Sequence, residues 1–314
     1  MSSIIFGPVP SRRLGRSLGV DLVPYKTCTF DCVYCELGPT TCHIRTRRSY
    51  TPVDVLCDEL GERLQQLKGE VDIVTLAGSG EPTLNADLGV IIERIRGMTD
   101  RPLGILTNSS LLSDKAVRDA LMPLDLVVPS LDALSDDVFQ HINRPVEGIG
   151  IEEILHGLIR LREEFTGKIW LEVLVCQGIN DSESELVRIK EAADSIHPDR
   201  IDINTVFRPP SVEGVRAVSP DRLEEIAAFM GKNAQAVGAA RTREGAAGGS
   251  RSVRTRLATL LRRRPCTSDD IASALCLARI EALKLVEQMV SEGTIERIEH
   301  QGTTYYKAPV PDRT

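Results

Sequence analysis

Long hydrophobic runs are missing from this 314-residue chain: nowhere do eighteen apolar residues follow one another, so no segment reads as a membrane span. The N-terminus, MSSIIFGPVPSRR, lacks a basic stretch followed by a long apolar one and so lacks the pattern of a secretory signal. A cytoplasmic location without a membrane partner is the default expectation. A positive charge balance is missing too. Against 45 Asp and Glu stand 38 Lys and Arg, a net charge of −7, which argues against a globally basic nucleic-acid binder and leaves room only for a local patch. What is present, 42% apolar and 26% charged residues, can bury a full core in one large domain plus a small one. In a reducing compartment the eight cysteines do not read as a disulfide framework, and those with short spacings point to metal or catalysis.

Short β-branched runs alternate with longer amphipathic stretches. The strand candidates are GVDLV (19–23), VDIVTLA (71–77), LGILT (103–107), LVVPS (126–130), IWLEVLV (169–175) and IDINTV (201–206). Helical spacing falls between most of them, as in 52–67 with Val53, Leu56, Leu60, Leu64 and Leu67, and 151–165 with Ile154, Leu155, Leu158, Ile159 and Leu161. Alternating strands and helices, with strands apolar on both faces, imply an α/β fold on a parallel sheet with right-handed crossovers. An open doubly wound sheet and a full or partial (β/α) barrel both fit. Each strand candidate is followed by its own polar or glycine-rich loop: the cysteine run, GSGEPTLN, TNSS, SLDA, QGIND and FRPP. Any one of these is read most simply as a turn. Six at the C-terminal strand ends suit a barrel mouth better than a single crevice.

The chain changes character near residue 234. The stretch AQAVGAARTREGAAGGSRS is rich in Ala and Gly and predicts a linker over 234–251 between a large domain, 1–233, and a small one, 252–314. The small domain reads as three helices followed by a two-strand hairpin, the order of a winged helix-turn-helix module. From residue 250 onward there are 11 Lys and Arg against 8 Asp and Glu.

CTFDCVYC, residues 28–35, holds three cysteines with no fourth at matching spacing. A structural zinc site needs four ligands, and Cys42 or His43 could supply the last. A ferredoxin-type cluster also needs four thiolates. Three thiolates on a cubane leave one iron without a protein ligand, and an open position is where a metal centre does chemistry. Cys57, Cys176, Cys266 and Cys276 are expected in the core.

The Cys28, Cys32, Cys35 spacing, the aromatic Tyr34 before the third cysteine and the Gly-Glu-Pro after the next strand resemble the radical S-adenosylmethionine superfamily. The longer stretch GPVPSRRLGRSLGVDLVPYKTCTFDCVYCELG resembles its branch related to the wybutosine-biosynthesis Fe-S oxidoreductases. The resemblance covers roughly residues 5–230. It implies a partial (β/α)6 barrel and a 4Fe-4S cluster on Cys28, Cys32 and Cys35, with the amino and carboxylate groups of S-adenosylmethionine on the open iron. It further implies one-electron cleavage of the sulfonium and abstraction of a substrate hydrogen by the deoxyadenosyl radical, the protein supplying position, electronics and exclusion of water.

Carried over position by position, the resemblance sets Gly80, Glu81 and Pro82 beside the methionine ammonium, although Glu81 also reads as a charge at a helix N-terminus. Thr107 and Asn108 would face cofactor or substrate, with Ser109 standing where a glycine is common. Ser130 and Asp132 would lie near the methionine carboxylate or ribose, Glu172 and Asn180 would make further cofactor contacts, and Tyr34 would flank adenine. The wybutosine enzymes with a second cluster draw on cysteines upstream of this motif, and this chain has none before Cys28.

Arg45, Arg47 and Arg48 in CHIRTRRSY would suit RNA phosphates or simply form a solvated loop. The longest tail helix mixes Arg279, Glu281, Lys284 and Glu287, and acidic residues on a groove-reading helix oppose phosphate. Of Tyr305 and Tyr306, one should face the core. Two classes of function follow. One is a radical S-adenosylmethionine oxidoreductase acting on RNA, peptide or protein and reduced by a flavodoxin or ferredoxin. The other is a metal-sensing transcriptional regulator with a winged-helix DNA-binding tail. The enzyme also accounts for the polar loops at the strand ends, which the regulator leaves unexplained.

Overall fold

The computed structural model describes residues 4–11, 13–67, 69–237, 253–275, 277 and 279–309. The chain opens with an antiparallel pair, β1 (Ile5–Ser11) and β2 (Gly15–Val20), then a short parallel ribbon of β3 (Thr27–Cys28) and β4 (Cys42–His43). It continues through α1 (Val53–Leu67), β5 (Ile73–Leu76), a 3-10 turn (Pro82–Leu84), α2 (Leu88–Arg96), β6 (Leu103–Thr107), α3 (Lys115–Leu121) and β7 (Leu126–Pro129). Next come α4 (Asp136–Ile142), α5 (Ile151–Glu164), β8 (Lys168–Val175), α6 (Glu183–Ile196), β9 (Arg200–Thr205), α7 (Pro220–Met230) and β10 (Ala234–Ala236). The sheet order is β1-β2-β5-β6-β7-β8-β9-β10, and every pairing from β2 to β10 is parallel. Neither edge strand meets the other, which gives the partial barrel.

The six expected strands are all present, with the first displaced toward the N-terminus: it begins at Gly15, where the chain turns back from β1. Strand β8 shows why the sheet curves around an interior. Ile169, Leu171, Val173 and Val175 are fully buried under the helices, while Trp170, Glu172 and Leu174 face the lumen and stay partly exposed. The floor of the lumen is closed by Ile73, Leu126 and Val128, packed with Trp170 and with Leu14 from the tip of the β1–β2 hairpin. Arg13, from the same tip, pairs with Glu172 at 2.9 Å.

The expected linker begins later than 234. Ala234–Ala236 add an edge strand, because small side chains let the backbone pair with β9 while Gln235 Nε2 reaches Asp202 Oδ1 at 2.9 Å. Residues 238–252, which include the rest of that span, and Cys276 lie outside the described residues.

The C-terminal elements are α8 (Val253–Arg263), α9 (Ser268–Leu275), α10 (Arg279–Ser291) and the antiparallel hairpin of β11 (Glu296–His300) and β12 (Thr303–Lys307). They enclose a separate core of Leu257, Leu261, Ile271, Val286, Ile295 and Tyr306, among others. Both tyrosines of the hairpin are buried, against the expectation of one. Tyr306 enters this core, and Tyr305 faces the barrel, its hydroxyl donating to the Phe207 carbonyl at 2.6 Å. At the opposite edge of the open sheet Arg263 reaches Asp21 at 2.8 Å, so the C-terminal module touches both sides of the gap in the barrel.

Candidate iron-sulfur and cofactor site

CTFDCVYC owes its shape to what alternates with its cysteines. Phe30 and Val33 are buried, Phe30 lying edge-on to Phe139 at 5.6 Å between ring centroids. Backbone bonds from Asp31 and Val33 to the carbonyls of Asn143 and Ile142 fasten the loop to the end of α4. With the apolar residues turned inward, Cys28, Cys32 and Cys35 remain half-buried at the barrel mouth. A side-chain N–H reaches each sulfur: Cys35 from Lys26 Nζ at 3.0 Å, Cys28 from Asn108 Nδ2 at 3.5 Å, and Cys32 from Asn143 Nδ2 at 3.5 Å. Burial, with the Glu81 charge second, pushes the Cys28 thiol up to about 12, and burial drives Cys32 well above the usual thiol range. The bare Cys28 and Cys32 thiols stay protonated, so these two become ligands only when a positively charged centre replaces their protons. Three sulfurs with N–H donors fit an iron-sulfur cluster, whose potential such bonds tune. Among the described residues no three His, Cys, Asp or Glu side chains converge as the ligands of a single ion would, and the zinc alternative gains nothing from the geometry.

The GSGEP loop after β5 is pinned to the cysteine loop. Lys26 N donates to the Ser79 carbonyl at 2.6 Å and Glu81 N to the Thr27 carbonyl at 3.1 Å. Gly80 sits at the closest approach, where a Cβ would come within 1.9 Å of the Thr27 carbonyl oxygen. Glu81 is 2% exposed, and its carboxylate accepts from Thr83 N, Thr83 Oγ1, Thr107 Oγ1 and Asn108 N at 2.6–3.0 Å. It caps the 3-10 turn begun by Pro82, so the helix N-terminal reading of Glu81 holds. All four donors are neutral, and burial raises its pKa from the ordinary carboxylate range. Asn108 joins the two loops, since its Nδ2 also meets Thr29 Oγ1 at 2.8 Å. Ser109, at φ +70°, adopts the left-handed backbone that favours glycine, and its hydroxyl bonds the Ser130 carbonyl at 2.8 Å. Ser130 itself is half-buried at the end of β7.

Three further expected cofactor contacts each have partners within the protein. Asp132 is buried, with its carboxylate committed to Tyr34 Oη at 2.5 Å, Asn143 Nδ2 at 2.8 Å and Leu174 N at 2.9 Å. It therefore anchors the cysteine loop through Tyr34, whose hydroxyl is occupied while its ring stays half-buried. Asn180 is fully buried, receiving Cys176 N at 2.7 Å and donating to the carbonyls of Asp132 and Leu174. Glu172 lies within the lumen, held by Arg13 and by Asn204 Nδ2 at 3.0 Å. Glu172 was read only from the resemblance, and nothing in its neighbourhood in sequence signals that Arg13 arrives from the hairpin. The basic loop is structural in part: Arg47 donates to the carbonyls of Thr83 and Asn85, and Arg45 to that of Gly148. Lys26 and Asn143 escaped the sequence reading. Their only signals were a lysine two residues before Cys28 and the asparagine of HINRP.

Residues 22–189 match the family model described as the Radical SAM superfamily. The chain belongs to that superfamily. It is 31% identical over 318 residues to a UPF0026 protein of Methanocaldococcus jannaschii, covering 99% of this chain and 98% of that one. It is also 42% identical over 229 residues to a Brachyspira hyodysenteriae protein named GTPase Obg, covering 73% of this chain and 34% of that protein, so it spans about a third of that relative's length. Among solved structures, a radical SAM methyltransferase from Sphaerobacter thermophilus shares the fold at a TM-score of 0.54 and 17% identity, over 70% of this chain and 65% of that one. Archaeal TYW1 aligns over 93% of this chain and 78% of that one at a TM-score of 0.45 and 13% identity. The chain is thus a radical S-adenosylmethionine enzyme, of a superfamily whose members use a 4Fe-4S cluster and S-adenosylmethionine. The transcriptional-regulator alternative is not favoured. No described helix is long and apolar enough to cross a membrane.

Proposed function

We propose that Cys28, Cys32 and Cys35 hold the cluster, and that S-adenosylmethionine binds against Gly80, Glu81 and Pro82, with Thr107, Asn108 and Ser130 on neighbouring strand ends and the Tyr34 ring beside it. The observation that carries this is the fastening of the three-cysteine loop to GSGEP by two backbone bonds across Gly80. When bound, the cluster and S-adenosylmethionine supply a 5′-deoxyadenosyl radical that removes a hydrogen atom from substrate. The chain's own residues do the rest. Asn108 and Asn143 orient two of the sulfurs, Asp132 and Asn180 brace the loops behind them, and the buried Glu81 carboxylate offers negative charge to an ammonium. A flavodoxin or ferredoxin supplies the electron, in a cytoplasm that keeps the thiols reduced.

The substrate we favour is a peptide or protein, delivered with the help of a winged-helix-like C-terminal module, 252–314, that follows the barrel and its edge strand β10. Two of the three arginines that would have met RNA phosphates are tied to backbone carbonyls, and α10 carries Glu281 and Glu287 among its basic residues. The test is to incubate the reduced enzyme and S-adenosylmethionine with perdeuterated cell extract split into RNA, peptide and protein fractions. Deuterium in 5′-deoxyadenosine should come from the peptide or protein fraction, whereas label from the RNA fraction alone would overturn the preference.

A further inference from the structure

Among the described residues Lys26 is the only buried lysine, 3% exposed. Its backbone is held at φ +55° by its own N–H to the Ser79 carbonyl at 2.6 Å and by Thr41 N and Cys42 N on its carbonyl at 3.2 and 3.0 Å. A non-glycine residue keeps that conformation only when its surroundings impose it, and here they send the side chain under the cysteine loop. Nζ stops 3.0 Å from Cys35 Sγ. The other two sulfurs receive neutral amide N–H groups at 3.5 Å, so the three are not treated alike: one receives a shorter, charge-assisted bond. A buried ammonium needs a counter-charge, and the hydrogen-bond acceptor it is given is a proposed cluster ligand.

We infer that Lys26 is a positioning residue that sets the reduction potential of the cluster, an inference that rests on the proposed assignment of the three cysteines. Reduction adds one negative charge to the cluster and its sulfurs. A fixed cation beside Cys35 stabilises the reduced form more than the oxidised one, so the cluster is easier to reduce with Lys26 than without it. At the effective dielectric of a partly buried site, a full charge a few ångströms away changes an equilibrium constant by more than about tenfold. Hydrogen bonds to the sulfurs act in the same direction. The residue would therefore bring the cluster within reach of a small cellular electron donor.

The test is an anaerobic redox titration of the full chain after cluster reconstitution, without S-adenosylmethionine, followed by electron paramagnetic resonance. Lys26→Met should shift the midpoint to more negative potential by a tenfold or greater loss in the reduction equilibrium, about 59 mV for one electron, while Lys26→Arg stays near the wild type. A loaded Lys26→Met protein with an unchanged midpoint overturns the inference, as does an equal shift in Lys26→Arg. If Lys26→Met takes up no iron, Lys26→Gln, which keeps an N–H donor and loses the charge, decides by the same titration. Failure of both neutral variants to load, with Lys26→Arg loading normally, overturns the inference in favour of a role in assembly. A wild-type chain that assembles no cluster defeats the cysteine assignment instead, so the two failures are distinguishable.

Discussion

Replacing Gly80 with alanine tests whether the two loops of the site must touch. The added Cβ would lie 1.9 Å from the Thr27 carbonyl oxygen, 2.8 Å from its carbon and 3.0 Å from Val23 Cγ2, where ordinary contact begins at 3.4 Å. The obstacle is backbone, so no side chain can swing aside, and the loops must part by roughly 1.5 Å. The bonds from Lys26 N to Ser79 O and from Glu81 N to Thr27 O, at 2.6 and 3.1 Å, would then open beyond hydrogen-bonding distance. Two lost bonds with partly buried partners cost about 2–4 kcal/mol, or a fall of roughly 5–15 °C in Tm for a domain of this size. Because Thr27 precedes Cys28, iron uptake should fall as well. Gly89→Ala is the control: its Cβ would meet Ala120 at 3.5 Å inside α2, and relief of a helical glycine should raise stability by up to about 1 kcal/mol. Differential scanning calorimetry and iron determination on both variants give the answer. A Gly80→Ala protein with wild-type Tm and iron content would refute the reasoning.

Asp132→Asn should cost about 1–3 kcal/mol in urea unfolding, because a carboxylate that satisfies three buried donors becomes an amide that clashes with at least one of them; Asp132→Asn with unchanged stability would remove its anchoring role. The pH dependence of the metal-free protein reports on Glu81. Burial raises its folded-state pKa, so the stability it contributes is complete below the unfolded value of about 4.3 and is lost as pH rises through the raised folded value. Glu81→Gln removes that loss, and the variant should gain on the wild type as pH increases; parallel stability curves would contradict this. Arg263→Ala withdraws the cation from Asp21 while Ser79 N and Oγ still satisfy that carboxylate. Hydrogen exchange in α8 should accelerate with iron content unchanged, and unaltered exchange would mean that the contact does not dock the module.

Much of the barrel was legible because its strands are short, β-branched and set between amphipathic helices, a pattern governed by local burial. β10 was not, because Ala234–Ala236 look like linker and become strand only beside an existing edge. At the site, the cysteine spacing and Gly-Glu-Pro are local patterns and could be read directly. Asp132, Asn180 and Glu172 were read by resemblance alone, and the protein partners that hold them, Tyr34, the Asp132 carbonyl and Arg13, come from different parts of the chain. Hydrogen bonds between distant segments leave no periodic trace in sequence. Lys26 was missed for the same reason, its meaning depending on where a left-handed backbone turn aims the side chain. Tyr305 and Tyr306 alternate as strand residues should, but the face away from the small core meets the barrel and not water.

The central claim is that three thiols on one loop carry a cluster that makes the chain a radical S-adenosylmethionine enzyme. The most direct measurement is 5′-deoxyadenosine formed from S-adenosylmethionine by anaerobically reconstituted, dithionite-reduced protein, alongside iron and sulfide analysis and with Cys32→Ala as the comparison. The account predicts about four irons and four sulfides per chain, 5′-deoxyadenosine from the wild type, and none from Cys32→Ala. Stoichiometric zinc with no cleavage, or equal cleavage by Cys32→Ala, would contradict it.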